Sequence, residues 1–189
     1  KLIGQSLRVR PSAKDVLPVL IDLLEHKEAR DFLSAHRAEI LDVFGKSGTE
    51  NLRVLKQALW DFERLIRILR KSDHAHTAAI LAILKAVLAL SIEVRTGGLK
   101  AVDLEEMKSS RWARYALPGG DKAPPSNFEL AEDRYSEIDL RQTYVDADLV
   151  TQLLVNGQVD GAAVHASLDR GPPFVSPDQE PAWRRAWSG

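Results

Sequence analysis

The sequence predicts an all-α fold, a helical bundle followed by a looser helical extension, on three observations. Apolar residues between Ser47 and Lys71 recur in alternating steps of three and four, which places them on one face of a helix of about six turns. Residues 77–94 are apolar on almost every side, as in a helix buried in a core. The segments around these two also show helical spacing, and several of them begin at Asp or are followed by Gly or Pro.

Composition limits the class of protein. Of the 189 residues, 44% are hydrophobic and 28% are charged, the balance of an ordinary soluble protein. The absence of cysteine excludes a disulfide framework and a thiolate zinc site. No signal peptide is visible, and residues 77–94 hold an internal Lys85 and are short for a membrane span. We therefore expect a cytoplasmic protein with no membrane partner.

The two halves of the chain carry opposite charge. Residues 1–100 contain 17 Lys and Arg against 12 Asp and Glu, a net charge of +5. Residues 101–189 contain 9 against 15, a net charge of −6. This asymmetry predicts either a basic surface for an anionic partner or two parts that attract each other. Because both signs are mixed along every predicted helix, we favour attraction between the two parts.

Two helices are predicted before the long amphipathic one. Residues 2–9 predict a short strand or an extended entry segment. A first helix is expected over residues 15–26, capped by Asp15. A second is expected over residues 27–44, with Gly45 at its end.

The amphipathic helix organises the bundle. Its apolar stripe consists of Leu52, Leu55, Leu59, Phe62, Ile66 and Leu69. A capping cluster, Thr49-Glu50-Asn51, precedes the first turn. Seven charged residues are expected to lie off the stripe, namely Arg53, Lys56, Asp61, Glu63, Arg64, Arg67 and Arg70.

A change of character follows the buried helix. Gly97-Gly98 is expected to stop that helix, and a short helix over residues 103–114 leads into a Pro- and Gly-rich loop over residues 118–125. Weaker helical patterns then cover residues 130–144, a segment from Asp146 or Asp148 to Val155, and a segment from Asp160 to Leu168. We divide the chain into a helical bundle over 1–98, a connecting segment over 99–128 and a helical extension over 129–189.

The ends of the chain suggest a piece of a longer protein. It begins at Lys1 without methionine and stops soon after Trp183 and Trp187. These two tryptophans lie four residues apart, so on a helix they would share one face. Such a face would dock either onto this chain or onto a missing part.

No set of residues predicts a self-sufficient catalytic or metal site. His74 and His76, beside Asp73, are the only close pair of histidines, and no third ligand is indicated, so they are read as solvated residues at a helix start. His36 lies on an apolar face and is read as an interior histidine. Neither GxxxxGK(S/T) nor GxGxxG occurs, so no phosphate loop is complete in the chain.

Nucleic-acid binding is considered because Arg64, Arg67, Arg70 and Lys71 cluster at the end of the amphipathic helix. However, Glu63 and Arg67 form an i,i+4 pair, and basic residues in a last helical turn complement the helix dipole. We therefore expect no nucleic-acid partner.

Arg53 is the one residue whose placement predicts a function. A helix N-terminus carries partial positive charge and unpaired N–H groups, which suit a phosphate. An arginine in that first turn, after a Gly-containing loop, can bring its guanidinium to the same anion.

Residues 48–59, GTENLRVLKQAL, and residues 61–65, DFERL, resemble the sensor-2 helix of AAA-like P-loop NTPases. They are most similar to KAP-type and STAND-type bacterial ATPases, in which a Gly-Asn-x-Arg-like turn opens a helix of the lid. The resemblance covers about residues 1–95. It departs from that pattern at the Thr-Glu pair between Gly48 and Asn51.

The resemblance implies that this chain is the helical C-terminal lid of an ATPase. Arg53 would reach ATP held by a separate NTPase core domain, and Asn51 would shape the turn. The partner implied is that core domain, and a homo-oligomer is a second partner that we consider. The chain alone would neither bind ATP tightly nor hydrolyse it. The alternative is a helical protein–protein interaction or scaffold module with no nucleotide role.

Overall fold

Helices are the only regular elements in the part of the chain that the structure describes. A computed structural model describes residues 12–70, 77–108, 124–141 and 145–170. In chain order the elements are α1 (Ala13–Asp22), α2 (Lys27–Ala35), α3 (Arg37–Lys46), α4 (Leu52–Leu69), α5 (Thr77–Thr96), the 3₁₀ helix η1 (Asp103–Lys108), α6 (Asn127–Arg134), α7 (Ala147–Thr151), a π-helical turn (Gln152–Asn156) and α8 (Gly161–Arg170). The predicted all-α helical bundle is confirmed.

The first helices differ from their predicted bounds. Ser12, rather than Asp15, caps α1, because its Oγ accepts a hydrogen bond from the Asp15 N–H at 3.3 Å. The single helix predicted over residues 27–44 is two helices, α2 and α3, separated at His36, whose backbone leaves the helical region (φ −114°, ψ 32°). The apolar spacing continues in phase across His36, so periodicity alone could not reveal this break. The His36 ring is largely buried against Phe32, with 4.5 Å between ring centroids.

Among the described elements, α4 and α5 form the most extensive helix–helix contact. The apolar stripe of α4 from Leu55 to Leu69 is buried, as predicted. Asp61 and Glu63, which are expected to lie off this stripe, are nevertheless buried. Each has polar partners on another element, which makes its burial tolerable.

The prediction that α5 is a core helix is confirmed, since most of its length is buried. By length and composition α5 is the one described helix that could cross a membrane. However, 67% of its most apolar window is buried by the rest of the protein, which fits a core helix. It ends at Gly97, whose positive φ of 82° is readily adopted by glycine.

The C-terminal elements share the apolar core of the first five helices. Buried side chains from Leu99 to Leu168 belong to one cluster with those of α1 to α5. The helix predicted over residues 103–114 is the shorter η1, and residues 109–114 lie outside the described part. Ser126 and Glu129 form a reciprocal capping box that starts α6. The helix α8 packs against α4, so the C-terminal part covers one side of the amphipathic helix.

Candidate functional site

The turn before α4 is held by side-chain to backbone hydrogen bonds. The Thr49 N–H donates to Ser47 Oγ (3.2 Å), the Asn51 N–H to Thr49 Oγ1 (3.2 Å), and the Arg53 N–H to Asn51 Oδ1 (3.1 Å). Gly48 enters this turn with a φ of 69°. Asn51 is therefore the N-cap of α4, as the capping cluster predicted, and it fixes the direction in which the first turn begins.

Arg53 follows this cap on the solvent side. Its side chain is exposed, and within the described residues its guanidinium has no hydrogen bond and no ion pair. Two first-turn amides are already in use, because the Arg53 N–H bonds Asn51 Oδ1 and the Val54 N–H bonds the Asn51 carbonyl at 2.9 Å. An anion at this end of α4 would therefore depend mainly on the guanidinium.

Arg53 is the first member of a polar row along the outside of α4. The row, which we call the basic face of α4, consists of Arg53, Lys56, Trp60, Arg64 and Arg67. Spacings of three and four residues align these side chains, and the row is about 21 Å long at 1.5 Å per residue. Four of the five members are cations.

Three cations of the basic face lack a carboxylate partner in the part of the chain that the structure describes, namely Arg53, Lys56 and Arg67. The Lys56 ammonium instead lies over the Trp60 ring, 4.4 Å from its centroid. Arg64 is held in place, because Nη1 donates to the Gly157 carbonyl at 3.3 Å and lies 3.6 Å from Asp61 Oδ1. The basic face thus carries excess positive charge.

A groove of about 320 Å³ opens beside the basic face, between the end of α1 and the middle of α4. It is lined by Leu23, Glu25, His26, Trp60, Glu63, Arg64 and Arg67. Within this lining, Glu63 accepts two hydrogen bonds from His26, one from the backbone N–H at 2.8 Å and one from Nδ1 at 3.2 Å. Leu23 is 57% exposed and Val19, one turn earlier on α1, is 58% exposed.

Asp61 forms a buried polar cluster under the basic face. Its Oδ2 accepts hydrogen bonds from Ser91 Oγ (2.8 Å) and from Arg95. Ser91 is fully buried, so no substrate reaches its hydroxyl. The cluster joins α4 to α5 and is structural.

Glu93 forms a second buried cluster, at the contact between α5 and α6. Its Oε1 accepts hydrogen bonds from the Tyr135 hydroxyl at 3.0 Å and from the Arg134 guanidinium. Burial, with the nearby Glu93 carboxylate, raises the pKa of the Tyr135 phenol well above its usual range. The hydrogen bond that the Arg134 guanidinium donates to Glu93 raises the pKa of Arg134, which stays charged. This cluster attaches the C-terminal elements to the bundle.

The sequence predicted the positions of Asn51 and Arg53 at the start of α4 but not the two buried clusters. Asp61 lies between Ala58 and Leu65, both buried neighbours at helical spacing, and this was a usable signal of burial. The Glu93–Tyr135 contact joins residues 42 positions apart, which spacing along one helix cannot reveal.

Several predicted features lie outside the described residues. These are His74 and His76, the Trp183 and Trp187 pair, and the strand or extended segment over residues 2–9. Across residues 12–70, 77–108, 124–141 and 145–170, no group of three metal-ligating side chains is found.

Comparison with protein-family models, with curated proteins and with solved structures finds no match to this chain.

Proposed function

We propose that the chain is the helical lid of a P-loop ATPase, which closes over ATP bound by an NTPase core domain in another part of the polypeptide. Arg53 would contact the phosphates, and Asn51 would shape the turn that aims it. The observation that carries the proposal is the exposed guanidinium of Arg53 in the first turn of α4, which has no hydrogen bond or ion pair with any residue that the structure describes.

The surroundings of Arg53 suit this role. Asn51 caps the helix, and the buried stripe of α4 fixes its body against α5, so the first turn has a rigid support. A guanidinium supplies several N–H donors and a permanent charge to a phosphate. The positive end of the helix dipole adds to the attraction.

The lid would relay nucleotide state through rigid contacts. A ligand shifts a conformational equilibrium only through contacts that differ between the two states. Loss of the γ-phosphate on hydrolysis removes one such contact from an arginine. Because α4 also packs against α5 and α8, movement of its first turn would be passed to the C-terminal elements.

The test is ATP turnover by the polypeptide that holds this chain together with its P-loop core. Arg53→Ala is expected to reduce turnover by about tenfold or more, the effect of one lost charge-assisted phosphate contact. The control is Lys14→Ala, which removes an exposed cation on a different helix, α1. It should leave turnover unchanged.

Three outcomes would contradict the proposal. Turnover by the 189-residue chain alone would place the active site within it. Unchanged turnover in Arg53→Ala would make Arg53 an ordinary surface residue. If the polypeptide that contains this chain had no P-loop core, the alternative would be favoured, namely a helical interaction module without a nucleotide role.

A further inference from the structure

We propose that the part of the basic face of α4 from Lys56 to Arg67, together with the groove beside it, binds an acidic peptide segment of a partner protein, anchored by one apolar or aromatic side chain. This inference goes beyond the nucleotide proposal and does not require it. It depends on the residues from Lys56 to Arg67 and on Leu23, not on Arg53.

The charge of the surface selects an acidic partner. Lys56 and Arg67 have no carboxylate partner in the described part of the chain, and Arg64 presents a side chain that is 47% exposed. These cations span about 16 Å along the helix, the length of about five residues of extended peptide. Acidic side chains at intervals along such a peptide would pair with them and steer its approach.

The groove selects an apolar anchor. Leu23 and the half-buried Trp60 form its apolar part, and the exposed Val19 extends that surface along α1. A volume of about 320 Å³ lies at the small end of ligand sites and suits one or two side chains. Burial of one large side chain beside matched charges is the usual arrangement of an interface hot spot.

The same features disfavour nucleic acid. One face of the Trp60 ring is covered by the Lys56 ammonium, so a base cannot stack there without displacing it. The groove also contains the carboxylates of Glu25 and Glu63, which repel a phosphate backbone. A peptide avoids both obstacles, because its apolar side chain enters the groove and its acidic side chains contact the arginines at the rim.

The experiment measures fluorescence anisotropy of labelled peptides titrated with the 189-residue chain. Three peptides of about nine residues carry glutamates around a central Leu, Phe or Trp, so that about five central residues can span the site and the others flank it. A fourth has Ser at the centre, and a thymidine oligonucleotide of the same charge is the nucleic-acid probe. Saturable binding at micromolar concentration by at least one apolar-centred peptide, and about tenfold weaker binding by the Ser peptide, is expected.

Variants locate the site. Lys56→Glu with Arg67→Glu should weaken peptide binding by about tenfold or more, and Leu23→Ser should remove the preference for an apolar centre. Lys14→Glu with Lys100→Glu reverses as many exposed charges elsewhere and should leave binding unchanged. Circular dichroism checks that each variant is folded.

Four results would overturn the proposal. They are no saturable binding by any acidic peptide, equal binding by the Ser peptide, equal loss in both charge-reversal variants, and tighter binding of the oligonucleotide than of every peptide. The last result would assign the basic face to nucleic acid instead. None of these outcomes bears on Arg53, so the nucleotide proposal stands or fails separately.

Discussion

Asp61 on α4 and Arg95 on α5 form an ion pair inside the helical bundle. Arg95 Nη2 lies 2.5 Å from Asp61 Oδ2, and the carboxylate is 1% exposed. Ser91 donates to the same oxygen, and Arg64 approaches the other at 3.6 Å. Because a buried carboxylate separated from its cation is costly, this pair favours one register of α4 against α5.

Asp61→Asn is therefore expected to destabilise the fold. The substitution keeps the shape of the side chain but leaves the Arg95 charge partly buried and unpaired. The free energy of unfolding should fall by about 2 kcal/mol, less than for a fully buried pair because Arg95 retains some exposure. Urea unfolding measures the change.

The matched control is Asp42→Asn. Asp42 is 55% exposed and pairs with Lys46 on the surface of α3, where ion pairs contribute little. Its urea midpoint should stay at the wild-type value. Equal shifts in the two variants would show that the Asp61–Arg95 pair does not matter for stability.

Periodicity was enough to predict the helical core but not its interruptions. The steps of three and four in α4 and the nearly uniform apolar character of α5 follow directly from packing one face, or every face, against neighbours. The break at His36 does not follow from the periodicity, because apolar residues on both sides of it keep the same helical phase. The short η1 helix could not be predicted from periodicity either, since 3₁₀ and α-helical turns share similar local patterns.

In the candidate site, too, local features could be predicted from the sequence and features that depend on helix packing could not. Asn51 and Arg53 could be found from the sequence because a cap and a first-turn arginine are local features. The groove between Leu23 and Trp60 could not, because it forms only when α1 packs against α4. Long-range polar contacts, such as Glu93 with Arg134, likewise depend on how distant helices meet.

Gly98→Ala should weaken the attachment of α6 to α5. A Cβ at this position would lie 2.2 Å from Glu93 Oε2, and Arg134 and Tyr135 hold that carboxylate in place. Relief of the clash must disturb these hydrogen bonds, which should cost about 1–3 kcal/mol of unfolding free energy. Thermal or urea unfolding would detect the loss.

Gly45→Ala is the matched comparison. No atom lies within 4 Å of a Cβ built at Gly45, which lies within α3. Alanine is the better helix former, so this variant should be neutral or more stable by up to about 1 kcal/mol. If Gly98→Ala were equally harmless, the Glu93 carboxylate would have to be free to move.

Tyr135 should make stability depend on alkaline pH. Its phenol has a pKa raised in the folded state by burial and by Glu93, so the unfolded state loses this proton first, near pH 10. Its contribution is complete below about pH 10 and is lost as pH rises further, by up to about 1.4 kcal/mol per pH unit. Urea unfolding of wild type at a series of pH values from about 8 to 11 measures the slope.

Tyr135→Phe provides the reference for that slope. It removes the titrating phenol together with its hydrogen bond to Glu93, so it should be less stable at neutral pH by about 1–2 kcal/mol. Surface lysines with raised pKa values, Lys46 and Lys108, titrate in both proteins and cancel in the comparison. The gap between the two proteins should therefore narrow above about pH 10, and a constant gap would contradict the assignment.

Asn51 and Arg53 should respond differently to truncation, although they are two residues apart. Asn51→Ala removes the side chain that accepts the Arg53 N–H, and the lost cap should cost about 1 kcal/mol of unfolding free energy. Arg53→Ala removes an exposed side chain with no partner in the described residues and should leave the unfolding midpoint unchanged. Asn51→Asp keeps a capping oxygen and should restore stability. If Arg53→Ala were as unstable as Asn51→Ala, the guanidinium would contribute to folding. Any loss of ATP turnover in Arg53→Ala would then reflect a distorted first turn rather than a missing phosphate contact.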